Sequence, residues 1–198
     1  MATLKNPIGR GRIVDEPKFA KFLFSDTRSS VIWLVVRVLL GIDWVNAASH
    51  KVTEQGWLTG TSLKATWERM IADPVGTAKP AISIDWYRDF IKSLYASQSW
   101  TWFGPLVAYG ELFVGIGLIV GAFTGIAAFF GTFMNWNFMM AGTASTNPWM
   151  MAVGGLVILA WKVAGYIGAD FFLLRWLGVP WRGEDAPAKA VPAPSAGK

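Results

Sequence analysis

Cysteine is absent from the 198 residues, and histidine occurs once, as His50. The first absence removes disulfides, thiolate catalysis, cysteine-ligated zinc and iron–sulfur clusters. The second means that a haem held by two histidines cannot be built from this chain alone. A metal centre is therefore not expected, and a redox cofactor would be held without covalent or metal ligation or would belong to a partner. Charge is also scarce, at 16% of residues, where soluble domains carry about 25%.

Apolar and aromatic residues fill the space left. Hydrophobic residues make up 53% of the chain, with 12 tryptophans and 13 phenylalanines, and the mean hydropathy is +0.37. Tryptophan in that amount suits a bilayer interface, where an apolar ring with one donor is at home. The net charge of +5 is unevenly placed: Lys5, Arg10, Arg12, Lys18, Lys21 and Arg28 all precede the first apolar run. A cluster in that position reads as a cytoplasmic flank and not as a nucleic-acid patch. The first 29 residues lack the apolar core of a cleavable signal peptide. Within them, Pro17–Phe24 suits a short surface helix with Phe19, Phe22 and Leu23 facing lipid.

Four apolar runs follow, at Val31–Ala48, Phe103–Val120, Gly125–Gly142 and Trp149–Gly168. Each would rise roughly 27–30 Å as a helix, close to one hydrocarbon thickness. A tight Gly121–Thr124 turn joins the second to the third, and a turn containing Asn147-Pro148 joins the third to the fourth. The expected fold is all-α: a polytopic membrane protein, with four transmembrane helices bundled and a long helical loop, residues 49–102, between the first two. In that loop the four-residue spacing of Trp86, Phe90 and Leu94 predicts an amphipathic helix, and Thr61–Ile71 a second. The carboxy-terminal flank holds Arg175, Arg182, Lys189 and Lys198, and the short hairpin loops hold no lysine or arginine. Basic ends and an even number of spans place both termini in the cytoplasm and the long loop outside, in the plasma (inner) membrane. The organisation expected is a polar segment 1–29, a membrane domain 30–175 and an alanine- and proline-rich disordered tail 176–198.

Arg37, Glu111 and Lys162 fall well inside the runs, where an ionised side chain costs about 2.5–3.5 kcal/mol. By helical rise Arg37 lies about 9 Å and Glu111 about 15 Å from the inner face, so an Arg37–Glu111 pair is expected. Asn135 lies at nearly the depth of Glu111, and Lys162 about 9 Å from the inner end. One polar cluster drawing on all four helices is therefore expected in the inner half. Arg37 and Lys162 have an alternative, which is to snorkel to the headgroups. Asp43, His50 and Lys51 stand near the outer end. Gly117-xxx-Gly121 and the shared face of Gly41 and Ala48 suit close helix approach.

These residues resemble a known family. The run Arg37-Val-Leu-Leu-Gly41 through Lys51, then Gly110-Glu111-xxx-Gly115-xx-Leu118-xx-Gly121, and Gly165-Tyr-Ile-Gly168-Ala-Asp170 are similar to the signature of the DoxX/DoxD membrane proteins, over about residues 30–175. The resemblance implies four membrane helices and membership of a quinone-linked redox system, DoxD being the membrane subunit of a thiosulfate:quinone oxidoreductase with an extracytoplasmic partner. On that reading Arg37 and Glu111 are catalytic, and Arg37, Glu111, Asn135 and Lys162 bind a quinone. Asp43, His50 and Lys51 would meet a small sulfur anion. The competing reading is a non-catalytic accessory subunit of a larger respiratory or photosynthetic complex. A secondary transporter fits less well, because no inverted repeat and no mid-span prolines are evident.

Overall fold

The computed structural model describes residues 16–74 and 79–179. The basic residues before Glu16, and the predicted disordered tail from residue 180 onward, lie outside the described residues. Among those described, all regular structure is helical. A short helix α1 (Lys18–Ser25) and a 3-10 turn lead into α2 (Ser30–Ser49). The cap region then forms α3 (Gln55–Leu58), α4 (Thr61–Ile71) and α5 (Asp85–Ala96). Helices α6 (Trp100–Val120), α7 (Thr124–Met140) and α8 (Asn147–Leu159) follow, then the single turn α9 (Trp161–Ala164) and α10 (Asp170–Trp176).

Helices α2, α6, α7 and α8 close a ring of contacts, each packing on two of the others. They form from almost wholly apolar sequence, so no hydrophilic face marks one side as outward. Thr27–Ser49, which includes the 3-10 turn, and Trp100–Val120 are long and apolar enough to cross a membrane. Helix α7 has 17 residues and α8 has 13. The expected continuous fourth run is therefore corrected: the helix stops at Leu159, and Ala160 leaves the helical ladder before one further turn.

Polarity is distributed from inside to outside. Arg37, Glu111, Thr124, Asn135 and Asp170 are each 1% exposed or less, whereas Val35, Leu39, Phe113, Phe129, Phe133 and Leu159 are all more than half exposed. One core, around Trp33, Leu40, Trp44, Leu118 and Val157, holds the ring together. A second, around Leu63, Trp67, Ile82, Tyr87 and Ile91, holds the cap and rests on Trp100, Phe103 and Met140. Helix α5 turns Tyr87 and Ile91 inward and leaves Trp86 and Phe90 largely exposed, so its buried face is rotated from the Trp86–Phe90–Leu94 stripe. In α1, Phe19 and Phe22 face outward, but Leu23 packs on the core and its carbonyl accepts the Trp33 indole N–H at 2.7 Å.

Helices α2 and α6 cross at Gly41 and Gly115. A Cβ on Gly115 would stand 2.7 Å from Val45 Cγ2 and 2.9 Å from the Gly41 carbonyl oxygen. Gly115→Ala is expected to cost about 1–3 kcal/mol, because backbone has to move. Gly155, on α8, has nothing within 4 Å of its missing Cβ, so Gly155→Ala is expected to be neutral or to stabilise by up to about 1 kcal/mol. Thermal unfolding of the two variants in one detergent checks the opposite signs.

Candidate functional site

The buried ionisable residues fall into two separate nodes, one at the last turn of α6 and one at its middle. At the end away from the cap, Arg37 reaches across from α2 and donates to four backbone carbonyls. Nη1 bonds the Leu118 and Ile119 oxygens, Nε bonds Ala164 at 3.0 Å and Nη2 bonds Ile167 at 2.5 Å. These oxygens belong to the last turn of α6 and to the unwound stretch around α9, groups that a helix C-terminus leaves without intrahelical donors. A cation is favoured there by the helix dipoles as well.

The remaining carbonyls of that turn are also accounted for. Gly121, at φ +70°, lets the Ala122 N–H return to Gly117 at 2.9 Å, and Ala169 and Asp170 N–H groups take the Val120 and Gly121 oxygens at 3.2 and 2.7 Å. Helix α7 begins without a capping side chain of its own, its N-cap being Phe123. Asp170 supplies the missing acceptor from 47 residues away, taking the Phe123 N–H at 2.6 Å and the Thr124 N–H at 2.9 Å. Gly165 and Gly168 are required by this closure: a Cβ on Gly165 would stand 2.1 Å from Asp170 Oδ2, and one on Gly168 2.8 Å from the Val120 oxygen. Arg37, Gly121, Gly165, Gly168 and Asp170 thus interlock. Among the described residues, the hydrogen bonds of Arg37 all go to backbone carbonyls.

The expected Arg37–Glu111 pair does not exist. Arg37 bonds carbonyls seven and eight residues beyond Glu111 along α6, roughly 10–12 Å away. Glu111 instead faces the cap. Lys51, just past the end of α2, folds back so that Nζ lies 2.6 Å from both Glu111 oxygens. The lysine side chain is 16% exposed and the glutamate 1%. The ammonium also stands 5.3 Å from the Trp57 ring centroid and 5.8 Å from that of Phe138, near enough to interact with both π faces.

This ion pair lines a cavity of about 1030 Å³ lying between the two cores. Its walls are mostly aromatic and aliphatic, including Trp44, Trp57, Trp67, Phe103 and Met134. Asn135 lines it too. That side chain is 1% exposed, and neither its Oδ1 nor its Nδ2 has a hydrogen-bond partner. Such groups are rare in folded proteins and costly when left dry.

Of the residues proposed for a site, the cavity therefore gathers Glu111, Asn135 and Lys51. Arg37 lies in the other node. Lys162 is exposed on α9 and does not line the cavity, so the single inner cluster drawing on all four helices is corrected to two nodes. Asp43 and His50 are exposed on α2 and do not line it either, so the outer group of Asp43, His50 and Lys51 is not a contiguous pocket. Among the described residues no set of three histidines or carboxylates is arranged to hold a metal ion.

Cap helix α5 is tied over the cavity by Tyr87, whose hydroxyl donates to the Asn137 carbonyl at 3.1 Å. Tyr95 donates to Glu68 at 2.5 Å and joins α5 to α4. Burial pushes the Tyr87 hydroxyl above the ordinary tyrosine range, and the Glu68 hydrogen bond does the same for Tyr95. In both cases the neutral phenol is the bonded form. The stability these bonds contribute is present below the ordinary tyrosine pKa of about 10 and is lost as pH rises through the raised values. The protection of the α5 amides, with exchange rates corrected for base catalysis, is expected to fall only in that alkaline window, and Tyr87→Phe is expected to remove part of that dependence.

No protein-family model, curated protein or solved structure matches the chain.

Proposed function

We propose that the chain is a multi-pass protein of the plasma membrane, with α2, α6, α7 and the α8–α9 pair as four spans, and that it serves as an integral subunit of a quinone-linked redox system. The membrane reading is supported by the inverted polarity. A water-soluble monomer rarely exposes a continuous apolar surface of this extent, whereas lipid accepts it and forces polar groups inward. Lys18, Lys21, Arg28 and Arg175 belong to the helices and turn at the end opposite the cap, which suits cytoplasmic termini and an outer cap.

The observation that carries the redox reading is the unpartnered Asn135 amide beside the Lys51–Glu111 pair in an apolar cavity. Sites for small ligands have this character: apolar walls and a few converging polar groups. A quinone offers two carbonyl acceptors, and Asn135 Nδ2 and Lys51 Nζ are two donors. Reduction to the quinol takes up two protons, and the ion pair is a titratable group within the cavity able to relay them. The electrons would come from a partner or from a small sulfur anion, of which Lys51 would be the cationic contact.

The test is quinone binding by the purified protein in nanodiscs, read from quenching of the cavity tryptophans. Asn135→Leu, similar in size and without donors, is expected to weaken binding about five- to tenfold, the worth of one hydrogen bond. Unchanged affinity would remove the reading.

The accessory-subunit reading has its own support in the cap, where Ile84, Trp86 and Phe90 are 40%, 60% and 45% exposed and offer an aromatic contact area. A protein that keeps large redox partners in mild detergent and binds no quinone alone would favour it.

A further inference from the structure

Helix α2 buries Trp33, Arg37, Leu40 and Trp44 against its neighbours. Its opposite face begins apolar, with Ile32 at 49% and Leu39 at 58% exposed. The same face then turns polar at Asp43, Asn46 and His50, all exposed. The spacing of three and four residues places these three on one stripe, in line with Ile32 and Leu39. Asp43 lies five residues, about 7 Å, inside Ala48, and Ile42 next to it is 42% exposed. Among the described residues, neither the Asp43 nor the Asn46 side chain has a hydrogen bond or an ion pair.

On the membrane reading proposed above, on which this inference rests, that arrangement leaves a carboxylate and an amide facing lipid. Intramembrane carboxylates are found paired or facing water, and the short aspartate side chain cannot reach the headgroups as a lysine does.

The geometry points to the Asp43–Asn46–His50 face of α2 as the docking surface for a transmembrane helix of another subunit, one that carries a lysine or arginine at the level of Asp43. Charge complementarity selects this occupant. A second copy of the chain is the poorer fit: two α2 helices packed side by side about a two-fold axis set each residue of the seam against its own copy, so Asp43 would meet Asp43. A partner cation neutralises Asp43, while Asn46 supplies both a donor and an acceptor one turn away, the kind of polar contact that fixes register between membrane helices.

Because the chain has no cysteine, its environment can be probed one position at a time. Asp43→Cys, in sealed membranes of the native host, is expected to resist a membrane-impermeant maleimide. Rapid labelling would show that the stripe lies in water and would overturn the membrane reading itself. Docking is tested separately, with benzoylphenylalanine in place of Asn46 in the full chain, irradiation in native membranes and sequencing of the cross-linked peptide. The expected product is an apolar helical segment of a different protein with a lysine or arginine within one turn of the cross-link. Asp43→Lys is expected to lower its yield about tenfold, as inverting one charge of an interfacial pair does, and Asp43→Glu to retain it. Each variant is checked for an unchanged tryptophan spectrum. Cross-links to lipid alone, to α2 of a second copy or to a segment without a cation would overturn the proposal, as would a yield indifferent to Asp43→Lys.

Discussion

Arg37→Leu is expected to leave almost no folded protein in the membrane, and Arg37→Lys is expected to rescue little of it. Leucine is apolar and near arginine in volume, and although it is shorter the main loss is not one of packing. It is the loss of a donor set. Four carbonyls, on Leu118, Ile119, Ala164 and Ile167, bond the guanidinium. A buried carbonyl stranded without a partner costs about 1–3 kcal/mol. The Asp170 carboxylate would also lose the favourable field of the nearby cation. Together these approach the whole stability of a typical domain, about 5–15 kcal/mol. Lysine restores the charge but concentrates its donors on one atom, whereas the planar fork serves acceptors on two chain segments at once. Asp170→Asn makes a milder companion, since one amide oxygen can still accept from the start of α7 while the charge is lost. Membrane-extracted yield and midpoint of thermal unfolding measure all three. Folded Arg37→Leu at wild-type yield would show that the node is dispensable.

The node also explains what was legible in the sequence and what was not. The ends of α2 and α7 to within two residues, the last residue of α6, and Thr61–Ile71 without error follow from apolar run length and from turn residues, both of which are local, whereas α6 starts at Trp100, three residues before the expected Phe103. The break at Ala160 has no local signal. Ala-Trp-Lys-Val contains neither proline nor glycine; Arg37, more than 120 residues earlier, takes the Ala164 and Ile167 oxygens where the next turn, α9, ends. The expectation that Arg37 would meet Glu111 came from depth alone. Helical rise gives a height along each span but not which neighbour a side chain faces, and here Arg37 turned to helix ends while Glu111 turned to the cap. Position near one end of α2 groups Lys51 with Asp43 and His50, but Lys51 leaves the stripe those two share, because the loop after Ser49 carries it back over the cavity. A signal did exist for Asp170: α7 opens on Phe123-Thr124 with no capping side chain before it, so those N–H groups required an acceptor from elsewhere. Asn135 was found because an amide at the depth of Glu111 is conspicuous in an apolar run, although only the fold reveals that it has no partner.

Glu111→Gln carries the second large effect, this time on function. The substitution keeps the shape and the hydrogen-bonding reach of the side chain, so Lys51 retains an acceptor. It removes the negative charge and the site's capacity to exchange a proton. If the ion pair relays protons to a quinone held by Asn135 and Lys51, reduction in native membranes that carry only this variant is expected to fall by about 10²–10⁴-fold, the usual worth of a positioned acid–base group. Stability is expected to change far less than with Arg37→Leu. The reason is geometric: Lys51 keeps 16% of its side chain exposed at the cap, so an ammonium relieved of its partner can swing toward water, an escape that the fully enclosed Arg37 lacks. Lys51→Met should cost more stability than Glu111→Gln, because it strands the carboxylate, which is 1% exposed. The double variant should recover much of that loss while recovering no turnover, and the cycle of the four proteins separates folding from chemistry. A Glu111→Gln protein that reduces quinone at the wild-type rate would assign the pair to structure alone and leave the accessory-subunit reading in its place.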